Sequence, residues 1–374
     1  MKVITVTTYN VYNYGAALQA YALQTYLRII GCQSQLLNYQ PDYLRRKYDY
    51  MWVNPESSFS KYGITRWGYR FAKYIQRQFT LKRKKAFDEF VSKYLYQTQL
   101  YGFKDDLYTY PPEADAYIVG SDQVWNTFYD AGRDGVFYLD FVTKGIKGSY
   151  AASFSFLEIE DKIKPQIKEW LSDFDAISVR EYQGVDILNS LGLKGKWVLD
   201  PVFLLSAKDW EKMIKPIGTN EKYLLVYDFE GCDEIKHFAK KYAKEMGLKI
   251  YNINDTYPRL YADKNFGGEG PIEFLSLIYN CSAFISNSFH GTAFSLIFHK
   301  PFFVFPRHRH AVNSRMESIL KMFGLEGRMV CSSDIVNLNN IDWESVDNRR
   351  EQYLIKSKSY LDYLLFPKTG ESTH

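Results

Sequence analysis

The sequence has few cysteines, and none of them lies close enough to another to suggest a metal site. The 374 residues contain only four, at positions 32, 232, 281 and 331, with no CxxC pair and no Cys/His ligand spacing. This scatter excludes zinc-finger patterns and favours reduced, mostly buried thiols. We therefore expect a cytoplasmic protein that carries no structural metal.

Long apolar runs and a strong excess of one charge are also missing. No apolar run approaches the roughly 18 residues of a membrane-spanning helix, and the start, MKVITVTTYN, lacks the apolar core of a signal peptide. The net charge of +4 and the pI of about 8.5 are too mildly basic to indicate nucleic acid. They are compatible with anionic small substrates or with peripheral contact at the cytoplasmic membrane.

Aromatic residues, in contrast, are abundant. They make up 17% of a chain that is 46% hydrophobic, with 32 Tyr and 26 Phe. Buried phenols need hydrogen-bond partners, so many tyrosines are expected at surfaces or grooves. Aromatic-rich clefts suit sugars, although a tyrosine-rich composition can also reflect a compositional bias of the genome.

Strand and helix patterns alternate along most of the chain. KVITVTT, AALQAYALQTYLRIIG and SQLLNY predict a βαβ opening, and in its helix Leu18, Ala22, Thr25 and Ile29 recur at helical spacing. A second series of alternations runs from KYLLVYDF to SRMESILKMFG. The pattern is typical of parallel sheets covered by helices.

These patterns predict an α/β protein with two Rossmann-like, doubly wound domains facing a cleft. By analogy, this is the GT-B architecture of many glycosyltransferases. We expect the first domain, on the acceptor side, at residues 1–210, and the second, on the donor or anion side, at 211–345. The helical segment 346–374 is expected to cross back to the first domain.

An insertion at residues 44–95 interrupts the first domain with a basic and aromatic composition. Residues 44–85 hold 12 Lys or Arg but only two acids, Asp49 and Glu56, with aromatic residues in between. One interpretation is a solvated helical insertion whose aromatic residues pack on the domain. Another is a surface that meets anionic lipid headgroups. Nucleic acid is the least favoured partner of the three.

Polar residues follow several predicted strands, where ligands of open α/β sheets bind and helix N-termini offer free N–H groups. Simple capping explains part of the first group but not all of its members together. We therefore expect the group to contact a ligand on the acceptor side. It consists of Asn10, Asn13, Tyr14, Gly15 and Gln19.

The second group follows DAYIVG and resembles sugar-binding chemistry. Asp122 could take a proton from a sugar hydroxyl, with amides and an indole beside it; the alternative is a capping aspartate. The predicted acceptor contacts here are Ser121, Gln123, Trp125 and Asn126.

A third group, Ser178 and Arg180, ends another strand. An arginine next to a helix start suits a bidentate contact with a carboxylate or phosphate. The alternative is a structural ion pair with a neighbouring acid.

The fourth group begins a helix after the strand AFIS. The helix dipole disfavours a charged imidazole there, so His290 is expected to be neutral or paired with an anionic ligand. Farther on, Arg315 and the run Arg307-His308-Arg309-His310 either hold an anion over this helix end or form a solvated loop. The predicted donor-side contacts are Ser286, Ser288, Gly291, Thr292 and Arg315.

Together these blocks resemble the polysaccharide pyruvyl transferase family. The matching segments occur in the family's order and cover most of the chain: YNYGAALQAYALQ, GSDQVWN, SVREYQG, the Asp-Pro of VLDPVF, and SNSFHGTAFSLIFHKPFF. The resemblance implies a GT-B-like fold, no metal and no cofactor. It also implies transfer of a pyruvyl group from the co-substrate phosphoenolpyruvate to a sugar of a surface polysaccharide or its lipid-linked precursor, commonly as a ketal.

By resemblance, Arg180 and His290 would meet phosphoenolpyruvate. Many family members have an arginine two residues before this histidine, where this chain has Ser288, so Arg315 or the Arg307–Arg309 loop would supply that charge. Our hypothesis is that His290 acts as acid or phosphate contact, Arg180 as anion clamp and Asp122 as base. The alternatives are a glycosyltransferase that uses a nucleotide sugar, or a non-catalytic protein of polysaccharide assembly.

Overall fold

The fold contains two parallel β-sheets, each part of a doubly wound α/β unit. The computed structural model describes residues 1–45, 62–254, 258–308, 313–330 and 341–367. In the first sheet, successive residues of β1 (Lys2–Val6) point to opposite faces, so that Val3 and Ile4 enter different hydrophobic clusters. The predicted fold class, two Rossmann-like domains, is confirmed by the order of the strands.

The first sheet has the strand order β3-β2-β1-β4-β5, so the order reverses between β1 and β4. Such a reversal is the usual place for a ligand in an open α/β sheet. Isolated bridges, including Ala152 to Val179, continue the sheet to β6 and β7. The remaining strands are β2 Gln33–Tyr39, β3 Gln97–Tyr101, β4 Ala116–Val119, β5 Ile146–Ser149, β6 Ser178–Val179 and β7 Lys196–Trp197.

The second sheet repeats this topology with the order β10-β9-β8-β11-β12. Its reversal lies between β8 and β11, and the helix that follows β11 carries His290 in its first turn. The strands are β8 Tyr223–Tyr227, β9 Lys249–Ile253, β10 Lys264–Phe266, β11 Ala283–Ser286 and β12 Phe302–Val304.

Twelve α-helices connect or cover the strands in the described part of the chain. They are α1 Tyr14–Ile29, α2 Asp42–Arg45, α3 Gly63–Tyr94, α4 Lys104–Thr109, α5 Lys164–Leu171, α6 Tyr182–Ser190, α7 Ala207–Glu211, α8 Asp233–Met246, α9 Pro271–Asn280, α10 Phe289–Ile297, α11 Ser314–Phe323 and α12 Trp343–Leu365.

The segment KWVLDPVFLL contains only the two-residue strand β7, which ends at Trp197. Pro201 has no N–H to donate to a strand ladder, and Asp200 Oδ1 accepts the Val202 N–H at 3.1 Å. The segment therefore turns into the 3₁₀-helix Pro201–Leu204. This turn places the Asp200 side chain inside the protein.

Aromatic contacts join the two sheets' helices into one interface. The Tyr14 ring of α1 stacks on Phe274 of α9 at 4.5 Å between ring centroids, and Trp210 meets Phe294 edge-on at 5.0 Å. Helix α12 returns to the first sheet, where Tyr360 Oη donates to the Ser149 carbonyl at 2.8 Å. The two α/β units are thus joined by apolar packing.

The insertion predicted at residues 44–95 falls partly outside the described residues, since 46–61 lie beyond them. The rest contains α3, whose C-terminal part buries Phe87 and Phe90 in the core. No helix in the described ranges combines the length and apolar character needed to cross a bilayer.

Candidate active site between the two sheets

Charged residues from both sheets meet in the cleft. Asp122 follows β4, Arg180 follows β6, and His290 lies in the first turn of α10. Arg180 Nη2 lies 3.2 Å from Asp122 Oδ1. The three residues predicted to carry the chemistry are therefore brought to one place, because the carboxyl ends of both sheets open on the same cleft.

Asp200 connects these residues at the centre of the cluster. Its Oδ2 lies 2.9 Å from Arg180 Nη1 and 3.5 Å from His290 Nε2, and it accepts the Ser121 hydroxyl at 3.2 Å. Burial alone would raise the pKa of Asp200, but His290 and Arg180 lower it below the usual range. Asp200 is therefore an ionised carboxylate that links an arginine of the first domain to a histidine of the second.

The Arg180 guanidinium is buried between two carboxylates and an aromatic ring. It lies over the Phe289 ring at 4.4 Å, and its Nη atoms bond Asp122 and Asp200. Burial lowers its pKa, but the two carboxylates raise it above the usual value overall. The ion pair that the sequence allowed as an alternative is present, and only Nε of this guanidinium lacks a partner.

Arg315, in the first turn of α11, is a second arginine of this cluster. Its relative exposure is only 7%, so the side chain is buried. Among the described residues no acid lies within ion-pair distance of it, and its Nε has no hydrogen-bond partner. Burial, with the charge of Arg180 next, lowers its pKa to about 10. A buried and unpaired cation beside another arginine is suited to bind an anion.

His290 packs directly against the backbone of Gly15. A Cβ atom on Gly15 would lie 1.9 Å from His290 Nδ1, so only glycine leaves room for the imidazole. His290 Nε2 is buried and has no hydrogen-bond partner, because its distance to Asp200 exceeds that of a normal hydrogen bond. Gly15 was predicted as an acceptor contact, and the structure gives it this role in seating His290.

Glu181, which the sequence did not single out as a site residue, lies beside Arg180 in the interior. Its Oε1 accepts the Ser153 hydroxyl and the Ser155 N–H, each at 3.0 Å, while Oε2 has no partner. The sequence feature that could have identified Glu181 is its position directly after an arginine at the end of a strand. Asp200 was likewise missed as a site residue, although an acid followed by proline also ends a strand there.

Four buried polar atoms without hydrogen-bond partners occur in this one cluster. Buried polar atoms are nearly always paired in folded proteins, so such a concentration indicates a place where a ligand completes the hydrogen bonds. The atoms are Arg180 Nε, Glu181 Oε2, His290 Nε2 and Arg315 Nε.

Several predicted acceptor contacts instead hold the framework together. Gln19 donates to Thr7 Oγ1 at 3.0 Å and accepts the Ser121 N–H at 3.1 Å, which ties α1 to the loop after β4. Asn13 caps α1 by accepting the Ala16 N–H at 3.1 Å. Gln19, Ser121 and Asn13 thus position the cleft through the backbone.

The aromatic members of these groups lie in the core. Trp125 is fully buried, and its Nε1 donates to the Phe137 carbonyl at 2.8 Å. Tyr14 is buried in the interface between the domains, where Arg83 contacts both its hydroxyl and its ring. Both rings are buried in this structure, and their contact with the acceptor stays a prediction.

The remaining amides of the acceptor groups differ in their surroundings. Asn126 donates to Gln123 Oε1 at 2.9 Å and accepts the Phe128 N–H at 3.0 Å, so both amides belong to a local turn. Asn10 is half-buried, and no described hydrogen bond uses its side chain. Asn10 is therefore the amide of these groups best placed to meet a ligand.

Most hydroxyls predicted on the donor side satisfy backbone groups. Ser178 Oγ donates to the Ser149 carbonyl at 2.9 Å, and Ser286 Oγ donates to the Tyr227 carbonyl at 2.6 Å. Ser288 caps α10 by accepting the Gly291 N–H at 3.3 Å, and Thr292 donates to the Ser288 carbonyl at 3.1 Å. These contacts give each hydroxyl a structural partner, and donor binding by these residues stays a prediction.

Three potential metal ligands approach one another beyond the ends of β8 and β12. One atom each of Cys232, Glu234 and His308 lies within 4.8 Å of the others. Burial and the charges of Asp228 and Glu230 raise the pKa of Cys232 to about 12, so its sulfur is a neutral thiol. Binding a cation there would require loss of this proton, and we assign no metal to the group.

Solved structures similar to this chain include the following three. UDP-GlcNAc 2-epimerase from Neisseria meningitidis, bound to UDP-GlcNAc, is 14% identical over 98% of this chain and 94% of that chain, with a TM-score of 0.47. The S. aureus MnaA–UDP structure is 11% identical over 100% of both chains, with a TM-score of 0.49. E. coli ADP-heptose LPS heptosyltransferase II is 11% identical over 96% and 100%, with a TM-score of 0.35.

The comparison with curated proteins finds no match to this chain. The sequence model of one family, polysaccharide pyruvyl transferase, matches residues 13–309. This range is most of the chain, and it includes Asp122, Arg180, Asp200 and His290. The chain belongs to the polysaccharide pyruvyl transferase family.

Proposed function

We propose that this protein transfers the pyruvyl group of phosphoenolpyruvate to a sugar of a surface polysaccharide or of its lipid-linked precursor. The observation that carries the proposal is Arg315, a buried cation with no acid partner among the described residues. It lies near enough to Arg180 for the charge of that residue to lower its pKa. Phosphoenolpyruvate carries a carboxylate and a phosphate on the same carbon, C2, so it suits a site with two arginines and a helix N-terminus.

Arg315 also supplies the charge that this chain lacks at Ser288. Ser288 is engaged as the cap of α10, and its side chain accepts the Gly291 N–H. The cation therefore comes from another helix, α11, which follows β12 in the same domain. In our proposal Arg315 holds one anionic group, while Arg180 Nε and His290 Nε2 offer donors to the other.

The proposed reaction forms one ketal and releases phosphate. An acid donates a proton to the methylene carbon, which makes C2 electrophilic, and a sugar hydroxyl adds to C2 as its own proton passes to a base. The C2–O bond to phosphate then breaks, a second hydroxyl closes the ketal at C2, and its proton leaves with the phosphate. We assign the acid to His290 and the base to Asp122, whose Oδ2 makes no described hydrogen bond. Asp200 holds His290 and Arg180 in place.

A ligand screen by thermal unfolding tests this proposal. A ligand at 100 times its dissociation constant stabilises the folded state by about 2.7 kcal/mol, or about 3 °C for a chain of this size. We expect phosphoenolpyruvate to give this shift and UDP-sugars to give none. A shift with UDP-sugars alone would support the glycosyltransferase alternative, and no shift with either would support a non-catalytic role.

Turnover is tested by phosphate release from phosphoenolpyruvate in the presence of envelope oligosaccharides. We expect the wild-type protein to release phosphate only when an acceptor is added, and His290→Ala to release none. Unchanged pyruvylation by His290→Ala would remove the assigned role of this histidine.

A further inference from the structure

The N-terminal turns of α3 expose a row of large apolar side chains. Ile64 is 82% exposed, Trp67 68% and Phe71 52%, and the rings of Trp67 and Phe71 stack at 5.5 Å. Tyr74 continues the row at 47% exposure. Solvent contact on this scale is unfavourable for such residues, so the row indicates a surface that binds something.

These four residues share one face of the helix. At 100° per residue, Ile64, Trp67, Phe71 and Tyr74 fall within an arc of about 80°. Arg66 and Arg70 lie outside that arc on the same side, and the nearer of them, Arg70, is about 40° from its edge. The two exposed lysines Lys82 and Lys85 continue the direction of the apolar face, with side chains 77% and 79% exposed. The face therefore combines apolar and basic groups along its length.

The opposite end of α3 is fixed to the protein near the cleft. Phe87 and Phe90 are buried in the core, and Arg83 Nη2 donates to the Tyr12 carbonyl at 2.9 Å. Trp67 precedes Phe87 by 20 residues, which is about 30 Å along a helix. The apolar face is thus presented at a distance from its anchor, and the core does not use it.

The charge around this face selects among the possible partners. From Gly63 to Lys85, helix α3 contains eight Lys or Arg and no Asp or Glu, so a partner with negative charge is favoured. A nucleic acid would use the cations but not the aliphatic side chain of Ile64. An anionic bilayer uses both, because the apolar face enters the headgroup region while the basic groups meet phosphates and carboxylates.

We propose that this face of α3, defined by Ile64, Trp67, Phe71 and Tyr74, docks the protein onto a membrane surface rich in anionic lipids. The proposal stands apart from the chemistry of the cleft. Docking would bring the cleft to acceptors that are linked to lipids, but it requires no turnover.

Vesicle sedimentation with the full-length protein tests the docking. We expect binding to vesicles that contain phosphatidylserine, weak binding to pure phosphatidylcholine, and release as salt is raised. Trp67→Ser with Phe71→Ser should reduce the partition coefficient at least 10-fold, and Arg66→Gln with Arg70→Gln about 30-fold. Tyr110→Ser is the matched control, because Tyr110 is 71% exposed outside this face, and it should bind as the wild type does.

Tryptophan fluorescence locates the contact. The difference between the emission of the wild type and that of Trp67→Phe should shift to the blue only with anionic vesicles.

Equal binding by the wild type and the Trp67/Phe71 variant would overturn the proposal, as would the absence of binding. Self-association in sedimentation equilibrium that Trp67→Ser abolishes would assign the face to a second copy. The thermal shift with phosphoenolpyruvate should be the same in all these variants, which separates failure of docking from failure of the proposed reaction.

Discussion

Replacing Gly15 by alanine should displace His290 and weaken the anion site. The added Cβ would lie 1.9 Å from His290 Nδ1, whereas ordinary contacts begin at about 3.4 Å, so the ring or the backbone must move by about 1.5 Å. Overpacking of this kind typically costs about 1–3 kcal/mol of unfolding free energy. A lost hydrogen bond from His290 to an anion is worth about 1.5–3 kcal/mol. We therefore expect phosphoenolpyruvate to bind roughly 10- to 150-fold more weakly.

Isothermal titration calorimetry measures the affinity, and urea unfolding measures the stability. Gly68→Ala is the matched control, since a Cβ there meets nothing within 4 Å and the residue lies inside α3. We expect this control to leave the affinity unchanged and to stabilise the helix by up to about 1 kcal/mol.

A double-mutant cycle isolates the contact between Gly15 and His290. In a His290→Ala background the imidazole is absent, so Gly15→Ala should cost less than about 1 kcal/mol of stability. The reasoning is refuted if Gly15→Ala costs the same stability in both backgrounds. It is equally refuted if Gly15→Ala binds phosphoenolpyruvate with wild-type affinity.

Four further predictions concern the charges of the cluster and one thiol. Asp200→Asn should lower the unfolding free energy by about 3 kcal/mol in urea, because it leaves the buried Arg180 with one carboxylate fewer; an unchanged midpoint would argue against the central role of Asp200. Arg315→Ala should weaken phosphoenolpyruvate binding at least 10-fold in calorimetry without loss of stability, since no ion pair is broken, and Arg315→Lys should restore part of the affinity. The wild-type affinity should fall above pH 10, because the pKa of Arg315 is lowered to about 10 and deprotonation removes the cation; a flat profile to pH 11 would contradict this. Cys232, whose pKa is raised to about 12, should react with iodoacetamide at pH 8 about 1000-fold more slowly than an unperturbed thiol, as measured by peptide mass spectrometry.

Helix α1 shows why the periodicity of the sequence described this fold only in part. Leu18 and Ala22 are buried as their spacing predicts, but Ile29 is 65% exposed. Gln19 and Gln24, which the pattern leaves outside the apolar row, are also buried. The helix is covered on more than one side, because α9 and α10 of the second domain pack on it. The pattern of residues within one helix does not show where a second domain packs on it.

The polar residues at the strand ends show the same limit for the site. Small polar residues there can either cap a helix or meet a ligand, and the two roles give similar sequence patterns. Asn13 and Ser288 proved to be caps, whereas Arg180 and His290 face the cluster. Asp200 was overlooked because its partners are far from it in the chain.

The sequence by itself determined the elements, their α/β alternation and the family motifs, because periodicity, capping and turns depend on residues within about four positions of one another. It also indicated Asp122, Arg180 and His290 through their positions after strands. The packing of the two domains, by contrast, sets the contacts of Asp200 with Arg180 and His290 and the seat of the imidazole against Gly15. It also leaves Arg315 with no acid within ion-pair distance among the residues that the structure describes. These contacts join segments that are far apart in the chain, so their geometry is set only when the two sheets pack together.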